Sequence, residues 1–258
     1  MKKGQILSDT YDIELKLDAG GGGTVYKAWH KRLRKYVAIK ELKHTQFISE
    51  ESRRNEVEAL KNLKNAHLPQ ILDFLSEQEQ SYTVMEFVEG VSFNKLLKGQ
   101  NDFSQYRVIE WYGQLASALV ELHSHEICHG DIKPANVMLM PNGNVCLIDF
   151  NVAVVKGNDT RLISRSQGYA SPEQCNLFEQ YKNRDIQNYS NIDWKLSDIY
   201  SLGATMHHIL TGKRLKNDKK AQSSPCFFII ERSTHLNPNN RFASAKALSA
   251  TIQSLLSV

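Results

Sequence analysis

His129-Gly130-Asp131-Ile132-Lys133-Pro134-Ala135-Asn136 leads into the apolar run Val137-Met138-Leu139-Met140, the turn Pro141-Asn142-Gly143-Asn144, a second apolar run Val145-Cys146-Leu147-Ile148, and then Asp149-Phe150-Asn151. An Asn-Gly pair between two apolar runs is a strong signal for a two-residue β-hairpin turn. A hairpin symmetric about Asn142 and Gly143 would set Asn136 opposite Asp149. An amide oxygen and a carboxylate at a hairpin mouth are hard ligands suited to Mg²⁺ shared with phosphates. A solvated polar hairpin end would use the same residue types. On the loop just before, Asp131 and Lys133 supply a candidate base and a candidate cation for a transferred phosphoryl group.

Upstream, the chain reads as strands. Residues 11–17 alternate, a glycine run follows, and residues 24–30 and 36–42 continue with short links, which predicts an antiparallel meander. The basic link at residues 30–35 reads as a solvated hairpin tip rather than a nucleic-acid patch. Within the glycine run, Gly20, Gly21, Gly22 and Gly23 would let the backbone approach an anion closely. A loose hairpin loop is the alternative, and the absence of a following G-K-[ST] rules out a P-loop.

Lys40 ends the apolar strand Val37-Ala38-Ile39-Lys40 and shares a face with Ala38. It is either a snorkelling surface lysine or a buried cation with a partner. The helix predicted over residues 49–64 offers Glu56, on one face with Leu60 and Leu63. Strands near residues 70–75 and 81–87 complete this part.

After Glu89-Gly90 the pattern turns helical. Ser104 has the character of an N-cap, and Val108, Tyr112, Leu115, Leu119 and Leu122 recur at helical spacing. Residues 199–210 are apolar nearly all round and end at Gly212, as a buried central helix would. A sheet-rich part followed by a helix-rich part implies an α+β chain in two lobes, joined near residues 86–90.

The 258 residues are 41% hydrophobic and 23% charged, with a net charge of +4, which fits a soluble globular protein and argues for neither nucleic acid nor membrane as a partner. No apolar run reaches the roughly 18 residues of a membrane span, and the N-terminus lacks the apolar core of a signal peptide. Cys128, Cys146, Cys175 and Cys226 form no C-x-x-C pair and stand near no metal-type histidine cluster in sequence, so reduced thiols in the cytoplasm are expected.

Taken in order along nearly the whole chain, these residues resemble the eukaryotic-type, or Hanks-type, serine/threonine protein-kinase family, in the style of its stand-alone bacterial members. Gly20, Gly23 and Val25 match its glycine-rich loop, Lys40 its strand lysine and Glu56 its helix glutamate. Val84-Met85-Glu86-Phe87-Val88 resembles the hinge. His129, Asp131, Lys133, Pro134 and Asn136 match the catalytic loop H-R-D-x-K-P-x-N, and Asp149-Phe150 the metal motif D-F-G. Ser171-Pro172-Glu173 stands for A-P-E, Asp198 for the aspartate that opens the central helix, and Arg241 for the late arginine that pairs with the A-P-E glutamate.

The resemblance implies a protein-kinase-like two-lobe α+β fold. A small antiparallel sheet with one helix would occupy residues 1–88 and a larger, mainly helical lobe residues 89–258. It implies ATP and Mg²⁺, with Mn²⁺ as a substitute, and protein substrates bearing serine or threonine, this chain itself included. Lys40, oriented by Glu56, would hold the α- and β-phosphates beneath Gly20–Gly23. Asp149 and Asn136 would hold the metal, Asp131 would take the proton of the acceptor hydroxyl, and Lys133 would neutralise the γ-phosphate. Val25, Ala38 and Met138 would line the adenine slot, Met85 would be the gatekeeper, and the backbone of Glu86 and Val88 would bind adenine. The lysine after Asp-Ile and the stretch Arg165-Ser166-Gln167-Gly168-Tyr169 favour serine or threonine over tyrosine as acceptor.

The sequence departs from the family pattern at several points. Asp18 stands at the first glycine of the loop, where it would repel phosphates or cap a stiffer turn, and Gly22 replaces a covering aromatic. Gly130 replaces the arginine that receives a phosphorylated activation loop, which implies activity without modification at Thr160, Ser164 or Ser166. Asn151 replaces the glycine of D-F-G. The stretch 213–224 is short, so one helix of the large lobe is expected to be missing, and Lys213 to Lys220 read as a solvated loop. These departures keep open a pseudokinase that binds nucleotide or scaffolds without turnover, and a small-molecule kinase of related fold.

Overall fold

In the computed structural model the described residues are 1–20, 23–42, 50–77, 80–99, 102–149, 154–155, 166–182, 192–215 and 224–257. They fall into two compact units, one of Met1–Lys64 with Pro69–Glu89, the other of Asn65–Leu68 with Gly90–Val258. The architecture is the α+β protein-kinase-like one, a curled antiparallel sheet and a mainly helical part.

The first unit is a six-stranded sheet in the order β1-β2-β3-β4-β6-β5. Its strands are β1 Ile6–Leu7, β2 Tyr11–Gly20, β3 Gly23–His30, β4 Lys35–Leu42, β5 Ile71–Glu77 and β6 Gln80–Glu86. Side chains alternate across a pleated strand, so one face can be dedicated to the core. Ile13, Tyr26, Ala28, Val37, Ile39, Tyr82 and Val84 make that face, with Leu7 and Tyr11. Helix α1, Glu50–Lys61, contributes Val57 and Leu60, and Leu63 follows just beyond it; all three are buried.

Register assigns the other face. Val25 pairs with Lys40 and Lys40 with Thr83, while Lys27 pairs with Ala38 and Ala38 with Met85. Directly opposed residues project to one side of a sheet. Val25, Ala38, Lys40 and Met85 therefore share the face that Tyr26, Ile39 and Val84 do not occupy. The turn between β2 and β3 is closed by the pair Gly20 and Gly23. At Gly23, φ is +143° and a Cβ would sit 2.1 Å from the Glu41 carbonyl oxygen, so only glycine fits there.

The second unit is built around three helices, α3 Gln105–Ser124, α5 Trp194–Thr211 and α7 Ala245–Leu256, with α2 Phe93–Lys98, α4 Pro172–Lys182 and α6 Pro225–Ser233 beside them. Ser104 Oγ accepts from the Arg107 amide at 3.3 Å and caps α3, whose buried stripe holds Val108, Tyr112, Leu115, Leu119 and Leu122. Asp193 caps α5 through the amides of Lys195 and Leu196, and Gly212, in the left-handed region, ends it. The helix thus begins five residues earlier than residue 199. Asp198, expected to open it, lies inside its second turn and is 1% exposed. Gly203 lets α5 approach α6 and α3, since a Cβ would lie 2.7 Å from Ser233 Cβ and 3.3 Å from the Tyr112 hydroxyl. That hydroxyl donates to Ser233 Oγ at 2.7 Å.

Small strands complete this unit. β9 Val137–Leu139 pairs with β10 Val145–Leu147 and with β7 Val91–Ser92, and β8 Ile127–Cys128 pairs with β11 Val154–Val155. Residues 65–68 belong here although their chain neighbours do not: Asn65 Nδ2 donates to Ser117 Oγ at 3.0 Å, and the Leu147 amide donates to the His67 carbonyl at 2.8 Å. Among the described residues no helix lies between α5 and α6; residues 216–223, most of the expected lysine loop among them, fall outside those described. No helix among the described residues is long and apolar enough to cross a membrane.

Candidate functional site

The hairpin of β9 and β10 differs by one residue from the sequence expectation. Val145 pairs with Leu139 and Leu147 with Val137, and the Ile148 amide donates to the Asn136 carbonyl at 2.8 Å. Asn136 therefore faces Ile148, not Asp149. The loop has three residues rather than two: the Gly143 amide donates to the Met140 carbonyl, the Met140 amide to the Asn144 carbonyl, and Gly143 takes φ +82°. Pro141 favours the second position of a type I turn, and the glycine then supplies the left-handed bulge that closes a three-residue hairpin. Helix α3 grips this tip. Trp111 Nε1 donates to the Gly143 carbonyl at 3.0 Å, and Gln114 Oε1 accepts from the Val145 amide at 2.8 Å.

The loop before the hairpin is held group by group, as buried backbone requires. Asp198 accepts from the His129 amide at 2.8 Å, from the Gly130 amide at 2.9 Å, and from His123 Nε2 at 3.0 Å. Gln174 Nε2 donates to the Gly130 carbonyl at 2.8 Å, and Thr205 Oγ1 to the Ile132 carbonyl at 3.3 Å. His129 accepts the Asp131 amide on Nδ1 at 3.3 Å, which leaves Nε2 to donate to the Ile148 carbonyl at 3.1 Å. Gly130 sits at φ +76°, a conformation an arginine there would adopt only with strain. Sequence reading named Asp198 only as the residue that opens the central helix, and missed Gln174, in the first turn of α4, and Thr205, in the middle of α5.

That framework fixes the candidate site side chains. Asp131 is 9% exposed. Lys133 Nζ lies 2.6 Å from Asp131 Oδ2, and Ser166 Oγ donates to Asp131 Oδ1 at 2.5 Å while accepting from Lys133 Nζ at 3.1 Å. Acid, cation and hydroxyl close a three-membered ring of charge-assisted bonds. Asn136 Nδ2 donates to the Asp131 carbonyl at 2.9 Å, which leaves its oxygen as the acceptor of the side chain. Asp149 adopts φ +75°, which a non-glycine residue holds only where its surroundings impose it. An amide oxygen and a carboxylate are the donor chemistry Mg²⁺ takes, so these residues fit the metal.

Elsewhere the expected residues stand as follows. Lys40 is 4% exposed, on the sheet face with Val25, Ala38 and Met85. Glu86 ends β6 and donates its amide to the Gln70 carbonyl at 2.9 Å; Val88 follows outside any element. Met138 lies on β9 beside Ser92. Asp18 turns its carboxylate to the next amide, Ala19, at 2.8 Å, which is the capping alternative. Gly21, Gly22, Phe150, Asn151, Thr160, Ser164 and the Glu56 side chain lie outside the described residues, and with them the Lys40–Glu56 pairing. Cys128, which in sequence has no histidine cluster beside it, lies in space with His123 and Asp198, their ligand-type atoms within 4.8 Å of one another.

Arg241 joins Glu173 by two bonds, 2.6 Å and 2.9 Å, and its remaining donors reach the carbonyls of Leu196 and His235. Between Ser166 and Glu173 in the chain, the Tyr169 hydroxyl is hydrogen-bonded to His208 Nδ1 at 2.6 Å. Burial pushes the Tyr169 hydroxyl above its usual range, and Arg214 beside it opposes that shift.

A family model described as "Protein kinase domain" matches residues 11–258. Among curated relatives, a probable serine/threonine-protein kinase of Clostridium acetobutylicum is 32% identical over 81% of this chain and 31% of its own length. The serine/threonine-protein kinase PrkC of Bacillus subtilis is 29% identical over 81% of this chain and 32% of its own. A serine/threonine-protein kinase of Myxococcus xanthus is 27% identical over 98% of this chain and 51% of its own. The chain thus spans about a third to a half of the length of these three relatives.

Proposed function

Since the chain belongs to the protein kinase family, we propose that it transfers the γ-phosphoryl group of ATP to serine or threonine hydroxyls of proteins. The observation that carries this reading is the ring of Asp131, Lys133 and Ser166. A buried acid already receiving a hydroxyl hydrogen bond, with an ammonium beside both, is arranged as an acceptor alcohol needs.

In the proposed reaction Asp131 orients the acceptor hydroxyl and takes its proton. The acceptor oxygen bonds to the γ-phosphorus, the bond from that phosphorus to the β–γ bridging oxygen breaks, and ADP leaves with the electron pair. Lys133 neutralises the oxygens of the phosphoryl group in transit. Lys40, with Glu56, holds the α- and β-phosphates. Gly20, Gly21, Gly22 and Gly23 cover them with backbone amides, Val25, Ala38 and Met138 contact the adenine ring, and Met85 bounds it. The Glu86 carbonyl and the Val88 amide bind its polar edge. Asn136 and Asp149 would hold Mg²⁺, which, when bound, would screen the phosphate charge. Engagement of all three members of the reactive ring argues against a nucleotide-binding scaffold without turnover.

The test is incubation of the purified protein with Mg·ATP and a generic basic protein, beside the Asp149→Ala variant. Phosphate on serine or threonine, lost in the variant, supports the reading. Nucleotide binding with no incorporation into any protein would refute it, and phosphorylation of small molecules alone would move it to a related class.

A further inference from the structure

Beside the reactive ring, within the helical unit, lies a cavity of about 290 Å³. Its wall includes Lys133 and Ser166, and it continues past Gln167 and Tyr169 to Asn94 and Arg214. Among the described residues no acidic side chain lines it. Its two cations differ. Lys133 is neutralised by Asp131 at 2.6 Å. Arg214 is exposed and has no carboxylate partner among the described residues. Its stem lies along Gly168, where a Cβ would come within 3.2 Å of Arg214 Cδ, and its guanidinium stands 5.7 Å from the centre of the Tyr169 ring. Packing against a glycine and an aromatic face therefore positions this cation, and among the described residues no carboxylate pairs with it.

From this geometry we propose that the cavity receives an anionic side chain of the substrate, an Asp or Glu carboxylate or a phosphorylated residue, within two positions of the acceptor serine or threonine. The inference rests on the kinase reading above and adds the substrate class. The volume has room for one amino-acid side chain. Ser166, hydrogen-bonded to Asp131, and Arg214 line this one small cavity, and an extended peptide advances about 3.3 Å per residue, so a hydroxyl at Asp131 and an anion before Arg214 belong to near neighbours. The guanidinium fork bonds both oxygens of a carboxylate or phosphate, and the Asn94 and Gln167 amides add neutral donors.

The experiment uses peptides with one serine acceptor and Ala, Lys, Asp, Glu or phosphoserine placed in turn at each of the two positions on either side. Wild-type protein should favour an anionic residue over alanine by about tenfold or more in kcat/KM at one or two positions. The rank of phosphoserine against Asp and Glu tells which anion the cavity prefers. Arg214→Ala should bring that ratio to about twofold, and Arg214→Glu should turn the preference toward lysine. A charge inversion of this kind does not follow from lost packing, and thermal melts of both variants check that the fold stands. Transfer with no preference for anions, or a preference that survives both substitutions, overturns this inference alone. No transfer to any peptide or to a basic protein overturns the kinase reading and this inference with it.

Discussion

Ser166 Oγ sits 2.5 Å from Asp131 Oδ1 while Lys133 Nζ reaches both residues, so one short hydroxyl bond ties the segment at 166–169 to the loop at 129–136. This hydroxyl orients the carboxylate before any acceptor arrives. Its removal leaves Lys133 paired with Asp131, so folding should be spared. Ser166→Ala is expected to lower kcat by about ten- to a hundredfold, the worth of one hydrogen bond to a charged group. Ser166→Thr should restore most of it. Steady-state assays decide the matter, and an alanine variant within twofold of wild type would show that the bond positions nothing.

The Arg241–Glu173 pair should carry stability rather than chemistry. The Arg241 side chain is fully buried while that of Glu173 is 19% exposed, so the two truncations are not equivalent. Arg241→Ala also removes the donors to the Leu196 and His235 carbonyls. It should cost about 3–5 kcal/mol, and Glu173→Ala somewhat less because solvent reaches the glutamate side. Urea titrations of both variants test the order, which equal losses would contradict.

Asp198 should act through the loop it holds. Asp198→Asn places an NH₂ where a carboxylate oxygen now accepts from an amide, leaving a buried donor facing a buried donor. Hydrogen exchange at the His129 and Gly130 amides should quicken by about tenfold or more, with stability lower by roughly 1–3 kcal/mol. Unchanged protection at those two amides would remove Asp198 from its anchoring role.

Two glycines of one helix separate crowding from backbone strain. At Gly203 a Cβ meets Ser233 Cβ at 2.7 Å and Thr234 Cγ2 at 2.9 Å, whereas at Gly212, φ +67°, it meets nothing within 4 Å. Gly203→Val should cost about 1–3 kcal/mol by overpacking. Gly212→Ala should cost about 1 kcal/mol from conformation alone. Denaturant midpoints report both, and a larger loss at Gly212 would reverse the assignment.

Much of this was legible in the sequence because the deciding signals are local. The alternation in β3 and β4 reveals the sheet, the spacing from Val108 to Leu122 reveals α3, and the order of Lys40, Asp131, Asn136 and Asp149 is what the proposed chemistry rests on. What escaped depends on distant partners or on turn geometry. The hairpin register turned on Pro141 and Gly143 choosing a three-residue loop, an outcome supported by Trp111 and Gln114 some thirty residues away. The early start of α5 followed from Asp193, a cap preceding a tryptophan rather than an apolar periodic run. Gln174 and Arg214 matter only through what they touch in space, the Gly130 carbonyl and the Tyr169 ring.

The placement of residues 65–68 has a consequence for cutting this chain. Because these four residues fold with the helical unit, the backbone passes from one unit to the other three times, at 64/65, 68/69 and 89/90. Severing it at 89/90 would yield two fragments that are each incomplete. The first would hold Asn65 and His67 without Ser117 and Val145, and the second would hold the Leu147 amide without its acceptor. A cut that respects both units must therefore keep residues 65–68 with the helical one, and shuffling halves between relatives would need this four-residue insert to travel with the helical half.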